Sequence, residues 1–376
     1  MNSLREILES SPQLRGLTMH GLRNEEPQPL GPPQWDWKQV ERVLVVRLRS
    51  IGDTVLTTPS LFALKRFLPN AKVDILLDDW VAPVLDGFEY VDNVITLKSS
   101  STRTRAGVAK VLRNAQYDVV YNLHGGTTAT FLTRASGAKH RVGYAAYQYA
   151  RLHQHLAPSA STLWGKDKTH SVEQQLALLG WTGVPVSDRP ATHLFVTNAA
   201  AASISARLES AQLAHAFVLV HPSAAFDTKQ WATEKFARII EAVAERGLRS
   251  VVITTENEKA VVETLLSESK APFTCFADLS LPEVTALASR ARLFIGNDSG
   301  IAHIASAVKV PSVVIFGSSN VDHWRPWTSV AAEVVREELE CQPCHGYFCE
   351  KFERPECIAQ VPVERVMAAL DRVSRA

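Results

Sequence analysis

The chain has 376 residues, 46% hydrophobic and 21% charged, with a formal net charge of +1. That length holds two domains with ample cores, and the balance is that of an ordinary globular enzyme. The near-zero charge gives no global field for nucleic acid, and no apolar run approaches the ~20 residues that cross a bilayer.

Residues 1–35 read as a poorly ordered N-terminal extension. Arg5, Glu6 and Glu9 interrupt any apolar core, so the segment does not read as a signal peptide, and Asn24 to Pro33 is polar and Pro-rich. Leu4, Ile7, Leu8 and Leu14 give the alternative, a helix lying on a surface. A first series of βα units follows. Arg42 to Leu48 is a near-continuous apolar run, as a parallel strand covered on both faces requires. Arg49 to Asp53 reads as a loop, and Thr54 to Leu68 has helical spacing. Lys72 to Leu77, Val94 to Leu97 and Asp118 to Leu123 read as further strands.

Thr182 to Asn198 is the predicted boundary, giving domains over 36–190 and 191–376. In the second series Phe217–Val220, Ser250–Thr254, Phe273–Phe276, Leu293–Gly296 and Ser312–Phe316 read as strands. The intervening helices are Thr233–Arg246, Glu256–Glu268, Leu281–Ala291 and Ile301–Val308, the third capped by Ser280 with Glu283 three residues on. This alternation predicts an α/β fold of two Rossmann-like domains with parallel sheets facing a cleft. Ligands of such sheets bind beyond the carboxyl ends of the strands.

Four clusters fall at strand-to-helix turns. Gly52-Asp53 follows the first strand. Asp53 reads as a helix N-cap or as a general base facing the cleft. His221 to Trp231 combines a small-residue loop at Ser223 with Lys229 just before a helix, a pattern suited to phosphate or to a plain solvated loop. Thr254 to Glu258 offers Glu256 or Glu258 to ribose hydroxyls. Finally, Asn297-Asp298-Ser299-Gly300 ends a strand where a helix starts, one turn before His303. Free N–H groups and polar side chains meet there, which favours phosphate; the alternative is an N-cap followed by a core histidine. No G-x-G-x-x-G, Walker A or G-x-S-x-G sequence occurs, which counts against a dehydrogenase, a P-loop kinase and an α/β-hydrolase.

Together these motifs resemble glycosyltransferase family 9, the ADP-heptose:lipopolysaccharide heptosyltransferases. The resemblance rests on Ser50-Ile51-Gly52-Asp53 with Thr57-Thr58-Pro59, on His221-Pro222-Ser223 with Lys229 and Trp231, on Asn297-Asp298-Ser299-Gly300 with His303, and on Phe316-Gly317. It covers the chain from about Arg42 onward and implies the GT-B fold. It further implies an inverting, metal-independent transferase with Asp53 as base and Lys229 against the donor diphosphate. Ser223, Glu256 or Glu258, Asp298, Ser299, Gly300 and His303 would complete the donor site. The implied partners are ADP-heptose and an anionic, lipid-linked oligosaccharide, met in the cytoplasm at the inner membrane. Arg47, Arg49 and Gly52 are the expected acceptor contacts. Arg103, Arg105, Lys139, His140 and Arg141 read either as further acceptor contacts or as a solvated basic surface. Two alternatives stand beside this reading: a family member using another nucleotide sugar, and a non-catalytic GT-B protein that binds one.

Residues 341–357 hold Cys341, Cys344, Cys349 and Cys357. Their spacing suits a structural zinc, with His345 as an alternative ligand, or else a loop of free thiols.

Overall fold

The computed structural model describes residues 26–98, 101–213, 216–344 and 348–375. Two six-stranded sheets form the frame. The first holds β1 (Arg42–Val46), β2 (Lys72–Asp78), β3 (Asn93–Leu97), β4 (Val119–Asn122), β5 (His140–Tyr144) and β6 (His155–Ala157). The second holds β7 (Phe217–His221), β8 (Arg249–Ile253), β9 (Phe273–Phe276), β10 (Leu293–Asn297), β11 (Ser312–Ile315) and β12 (Ala332–Val335).

Their orders are β3-β2-β1-β4-β5-β6 and β12-β11-β10-β7-β8-β9, and every pairing is parallel. Each sheet therefore reverses its winding once, between β1 and β4 and between β7 and β10. The crevice at such a reversal is where α/β sheets take ligands.

The central strands are apolar because helices cover both faces. Residues 43–46 of β1 and all of β4 and β10 are buried. Phe236, Ile239, Ile240 and Val243 put the buried stripe of the helix Thr233–Glu245 on one side. One apolar cluster runs through both halves, from Val43 and Leu61 through Leu194 to Leu287 and Ile304. The two domains thus share a core.

Local chemistry redraws several predicted elements. The helix expected over Thr54–Leu68 is two, Ile51–Val55 and Thr58–Phe67. Pro59 has no N–H for the Val55 carbonyl, and the Thr58 hydroxyl donates to that carbonyl instead at 2.7 Å. The first helix begins at Ile51, so Asp53 lies inside its first turn rather than in a loop. β5, β6 and β12 carry no continuous apolar run, and each sits at or next to a sheet edge. Residues 26–35, expected to belong to a poorly ordered extension, are packed. Leu30 and Gly31 donate to the Gly180 carbonyl at 3.0 and 3.1 Å, while Val186 and Ser187 donate to that of Gln28. Leu30 and Trp35 rest on the shared core, which orders the chain there. Residues 1–25 lie outside the described residues. Among the described residues no helix is long and apolar enough to cross a membrane.

The boundary segment is stitched to both halves. His193 N–H donates to the Thr58 hydroxyl at 3.1 Å, and Leu194 N–H to the Ala307 carbonyl at 3.3 Å. His170 makes a second bridge. Its Nδ1 accepts the Val172 N–H at 3.1 Å, and its Nε2 donates to the Arg325 carbonyl at 2.8 Å. Both ring nitrogens are used by the neutral imidazole, and burial pushes its pKa down to about 3. Unfolded, the ring takes a proton near the ordinary 6.5. Between those values the unfolded chain binds more protons, so stability falls as pH falls. We expect unfolding free energy to drop by about 1–3 kcal/mol between pH 6.5 and pH 4 from this ring, and less in His170→Gln. Urea melts across that range check it.

Candidate active site

The first half of the site grows from the end of β1. Arg47 is buried, and its guanidinium donates to the Leu123 carbonyl beyond β4 and pairs with Asp53 Oδ1. Asp53 Oδ2 accepts the Ser50 N–H at 3.1 Å and the Ser50 hydroxyl at 3.3 Å. Thr57 Oγ1 donates to the Asp53 backbone carbonyl at 2.8 Å. The carboxylate is held on both oxygens by neighbours on the strand and on its own turn. Its side chain stays 20% exposed toward the cleft.

The second half is built where β7 and β10 run side by side. Asn297 is fully buried. Its Oδ1 accepts the Trp231 N–H at 3.1 Å, and its Nδ2 donates to the Pro222 carbonyl at 2.8 Å. Gln230 Oε1 accepts the Ala224 N–H at 2.7 Å. The loop leaving β7 is thereby pinned to the end of β10. Lys229 Nζ then reaches Asp298 Oδ2 at 2.8 Å, and the Ser319 hydroxyl donates to the same oxygen. Ser299 Oγ lies 3.2 Å from His221 Nδ1. Ser299 makes no side-chain cap for the helix Gly300–Ala307, so that helix's first N–H groups lack intrahelical partners.

The halves touch through two glycines. A Cβ on Gly52 would lie 2.7 Å from His303 Cδ2, and one on Gly300 would lie 2.7 Å from Ile51 Cβ. This contact closes a cleft of about 490 Å³. Asp53 lines it from one side; Lys229, Asp298, Ser299 and Gly300 line it from the other, with His303 between. His303 is buried, which lowers its pKa, while Asp298 and Asp53 act in the opposite sense. Its Nδ1 and the buried Ser223 Oγ have no hydrogen-bond partner among the described residues. Buried polar atoms are normally satisfied, so these two are exceptions among the described residues. An oriented carboxylate facing a lysine and an open helix N-terminus can take a proton on one side and carry diphosphate charge on the other.

The model of glycosyltransferase family 9 (heptosyltransferase) matches residues 105–352. The chain belongs to that family. It is 28% identical over 346 residues to lipopolysaccharide heptosyltransferase 3 of Escherichia coli, covering 87% of this chain and 97% of the relative. A solved family 9 glycosyltransferase from Veillonella parvula matches with a TM-score of 0.76 at 19% identity, over 89% of this chain and 97% of that one. The E. coli ADP-heptose lipopolysaccharide heptosyltransferase II matches with a TM-score of 0.73 at 19% identity, over 89% and 98%. The fold is GT-B, and the protein is a glycosyltransferase.

Within this family 9 enzyme several expected contacts sit elsewhere than the cleft wall. Arg47 is engaged with Asp53 and Leu123, so it orients the carboxylate. Arg49 and Arg105 line a neighbouring cavity. Ser223 lies buried behind the cleft lining. Glu258 accepts the Thr255 N–H at 2.6 Å, whereas Glu256 is exposed; neither lines the cleft. Glu258 is near enough for its charge to oppose the burial that takes His221 down to about 4. Arg103 is exposed, Lys139 pairs with Asp118, Arg141 donates to the Ala138 carbonyl and His140 stacks on Trp35. Ser319, Trp80 and Trp324 were missed by the sequence reading. Ser319 was signalled only by following the strand after Phe316-Gly317.

Cys341, Cys344 and Cys349 are half-buried and Cys357 is buried, all as free thiols. Among the described residues no three Cys, His, Asp or Glu side chains are placed to hold a metal ion, and His345 lies outside those residues. The segment packs against the loop after β11, where Cys344 N–H donates to the Ser318 carbonyl at 3.0 Å.

The glycine contact makes a direct prediction. Gly52→Ala pushes the His303 ring and its helix away from Asp53. We expect kcat to fall about 10- to 100-fold. The thermal midpoint should stay within a few degrees. Steady-state kinetics with a thermal melt checks both.

Proposed function

We propose that this enzyme transfers heptose from ADP-heptose to an inner-core lipopolysaccharide acceptor by a single inverting displacement. The observation that carries the reading is one cleft with Asp53 on one wall and the Lys229–Asp298 pair beside an open helix N-terminus on the other. The names of its relatives supply the sugar, the nucleotide and the acceptor class.

The chemistry follows from charge. As the anomeric C–O bond to the diphosphate breaks, positive charge grows on the sugar ring and negative charge on the leaving ADP. Lys229 and the first N–H groups of the helix Gly300–Ala307 stabilise the ADP. Asp53 accepts the acceptor hydroxyl proton while that oxygen bonds the anomeric carbon from the opposite face. His303, which lines the cleft between the two walls, offers a hydrogen bond to the donor. A diphosphate needs no protonation to leave, so one carboxylate is sufficient. Lysine and helix N–H groups supply the charge that a divalent ion supplies elsewhere, so transfer proceeds without a metal. The acceptor is lipid-linked, which places the enzyme in the cytoplasm in peripheral contact with the inner membrane.

A second reading keeps the mechanism and changes the sugar. The donor loop offers groups for phosphate more than for ring hydroxyls, so a panel of nucleotide sugars discriminates the two.

Asp53→Asn preserves shape and removes the base. We expect kcat to fall about 10²- to 10⁴-fold with ADP affinity kept within a few-fold. Lys229→Ala should weaken ADP binding and lower kcat together. EDTA should leave the wild-type rate unchanged, and the product should carry the inverted anomer by NMR. Normal transfer by Asp53→Asn would sink the mechanism.

A further inference from the structure

The near-neutral charge of the chain hides a local imbalance. Residues 101–165 hold eight Lys or Arg residues and a single acid, Asp118, while the rest of the chain is net acidic. Asp118 is already engaged: its carboxylate pairs with Lys139 at 3.1 Å and accepts the Glu41 and Arg42 N–H groups at 3.0 and 3.1 Å.

The fold collects these cations on one side. The helices Thr102–Asn114 and Thr127–Ala135 pack next to each other on the N-terminal sheet. Val108, Leu112, Ala129 and Leu132 bury their inner faces with Leu44, Val46 and Val120, in a cluster separate from the core that the two domains share. Val43 and Val45, which point to the opposite face of the sheet, belong to the shared core. The helix pair therefore covers the sheet face turned away from the second domain. Neither helix carries an acid. Arg103, Arg105, Lys110, Arg113, Arg134 and Arg151 are all exposed, and none is in an ion pair among the described residues. Burial lowers the Arg141 pKa, and the nearby Arg134 charge lowers it further.

Apolar groups stand among the cations. Phe131 is 53% exposed, Tyr149 50% and Val111 52%. The Phe131 and Tyr149 rings lie 5.7 Å apart. Tyr149 holds a φ of 61°, a left-handed conformation costly for a bulky residue, yet its ring stands half in solvent. The Gln148 side-chain carbonyl accepts the Thr127 hydroxyl at 3.2 Å, which ties this turn to the start of the second helix. Cations mixed with exposed aromatic and aliphatic groups make a surface that lies on a bilayer: the cations meet lipid phosphates and the rings enter the headgroup boundary. Duplex nucleic acid presents phosphates to the cations and nothing apolar to Val111 and Phe131.

We propose that this face, centred on the helices Thr102–Asn114 and Thr127–Ala135, docks on an anionic phospholipid bilayer, with Lys110, Arg113, Arg134 and Arg151 on lipid phosphates and Phe131 and Tyr149 in the headgroup layer. The assignment rests on the transfer reading above for its purpose, and it adds the face that makes the membrane contact. Both helices begin at the end of the sheet where the strands give way to the cleft. Docking on their outer side leaves the cleft beside the bilayer and open, within reach of a saccharide whose lipid stays in the membrane.

The test sediments the full chain, without donor or acceptor, with vesicles of phosphatidylcholine alone or with about 30% phosphatidylglycerol. The protein should follow the anionic vesicles and stay in solution with the neutral ones, and added salt should weaken binding. Lys110→Ala, Arg134→Ala and Arg151→Ala together should weaken it about 100-fold, at about five-fold for each cation removed. Phe131→Ser with Tyr149→Asn should weaken it about ten-fold, with little dependence on salt. A thermal melt shows that each variant is folded. Both sets should keep the rate on a soluble oligosaccharide acceptor within about two-fold and slow transfer to an acceptor embedded in anionic vesicles. Binding to neutral vesicles as tight as to anionic ones, or binding that survives the charge substitutions, overturns the assignment. Tighter binding of duplex DNA than of vesicles through the same cations also overturns it. Should vesicle binding follow these residues in a protein that transfers no heptose, the transfer reading fails and the docking face stands. Should heptose be transferred by a protein that binds no vesicles, the docking face fails and the transfer reading stands.

Discussion

The approach of two helices across the domain boundary sets everything else at the active site. Gly52 faces the His303 ring and Gly300 faces Ile51, each with no room for a Cβ. A methyl group at either place forces the walls apart by part of an ångström or more. Proton transfer and displacement tolerate little such error, because the reacting atoms must start near contact. Two residues with no side chain thus decide how close Asp53 in one domain comes to Lys229 and Asp298 in the other.

Around that contact, each wall is fixed by a buried polar residue. Arg47 reaches from β1 to the chain beyond β4 and holds Asp53 on the way. Asn297 reaches from β10 to the loop beyond β7 and steadies the turn that carries Lys229. Both span the place where their sheet reverses its winding. Side chains seated on sheets are more exactly placed than side chains on free loops. His170 adds a third tie, from the N-terminal half to the Arg325 carbonyl.

Much of this was legible in the sequence because the central strands announce themselves. β1, β7 and β10 are buried on both faces, so they appear as apolar runs, and the polar residues just past them stand out. That placed Asp53, Lys229, Asp298, Ser299 and Gly300 before any contact was known. Edge strands such as β6 and β12 mix polar and apolar residues and give no such signal. Ser319 gave only a faint signal for another reason: its importance lies in the Asp298 side chain that it meets across a stretch of chain. Arg47 and Arg49 look equivalent in sequence, two residues apart on an extended strand end. The fold buries Arg47 against Asp53 and turns Arg49 to the neighbouring cavity. Pro59 was a readable break after β1, and it divides that stretch into the helices Ile51–Val55 and Thr58–Phe67.

The pairing of Lys229 with Asp298 has a kinetic side. An ammonium already held by a carboxylate is a contested charge, and a nucleotide diphosphate must compete with Asp298 for it. Binding is weakened by that competition. A nucleotide that leaves would return the lysine to Asp298, which holds it at 2.8 Å. On the proposed reading, the pair therefore trades tightness for release.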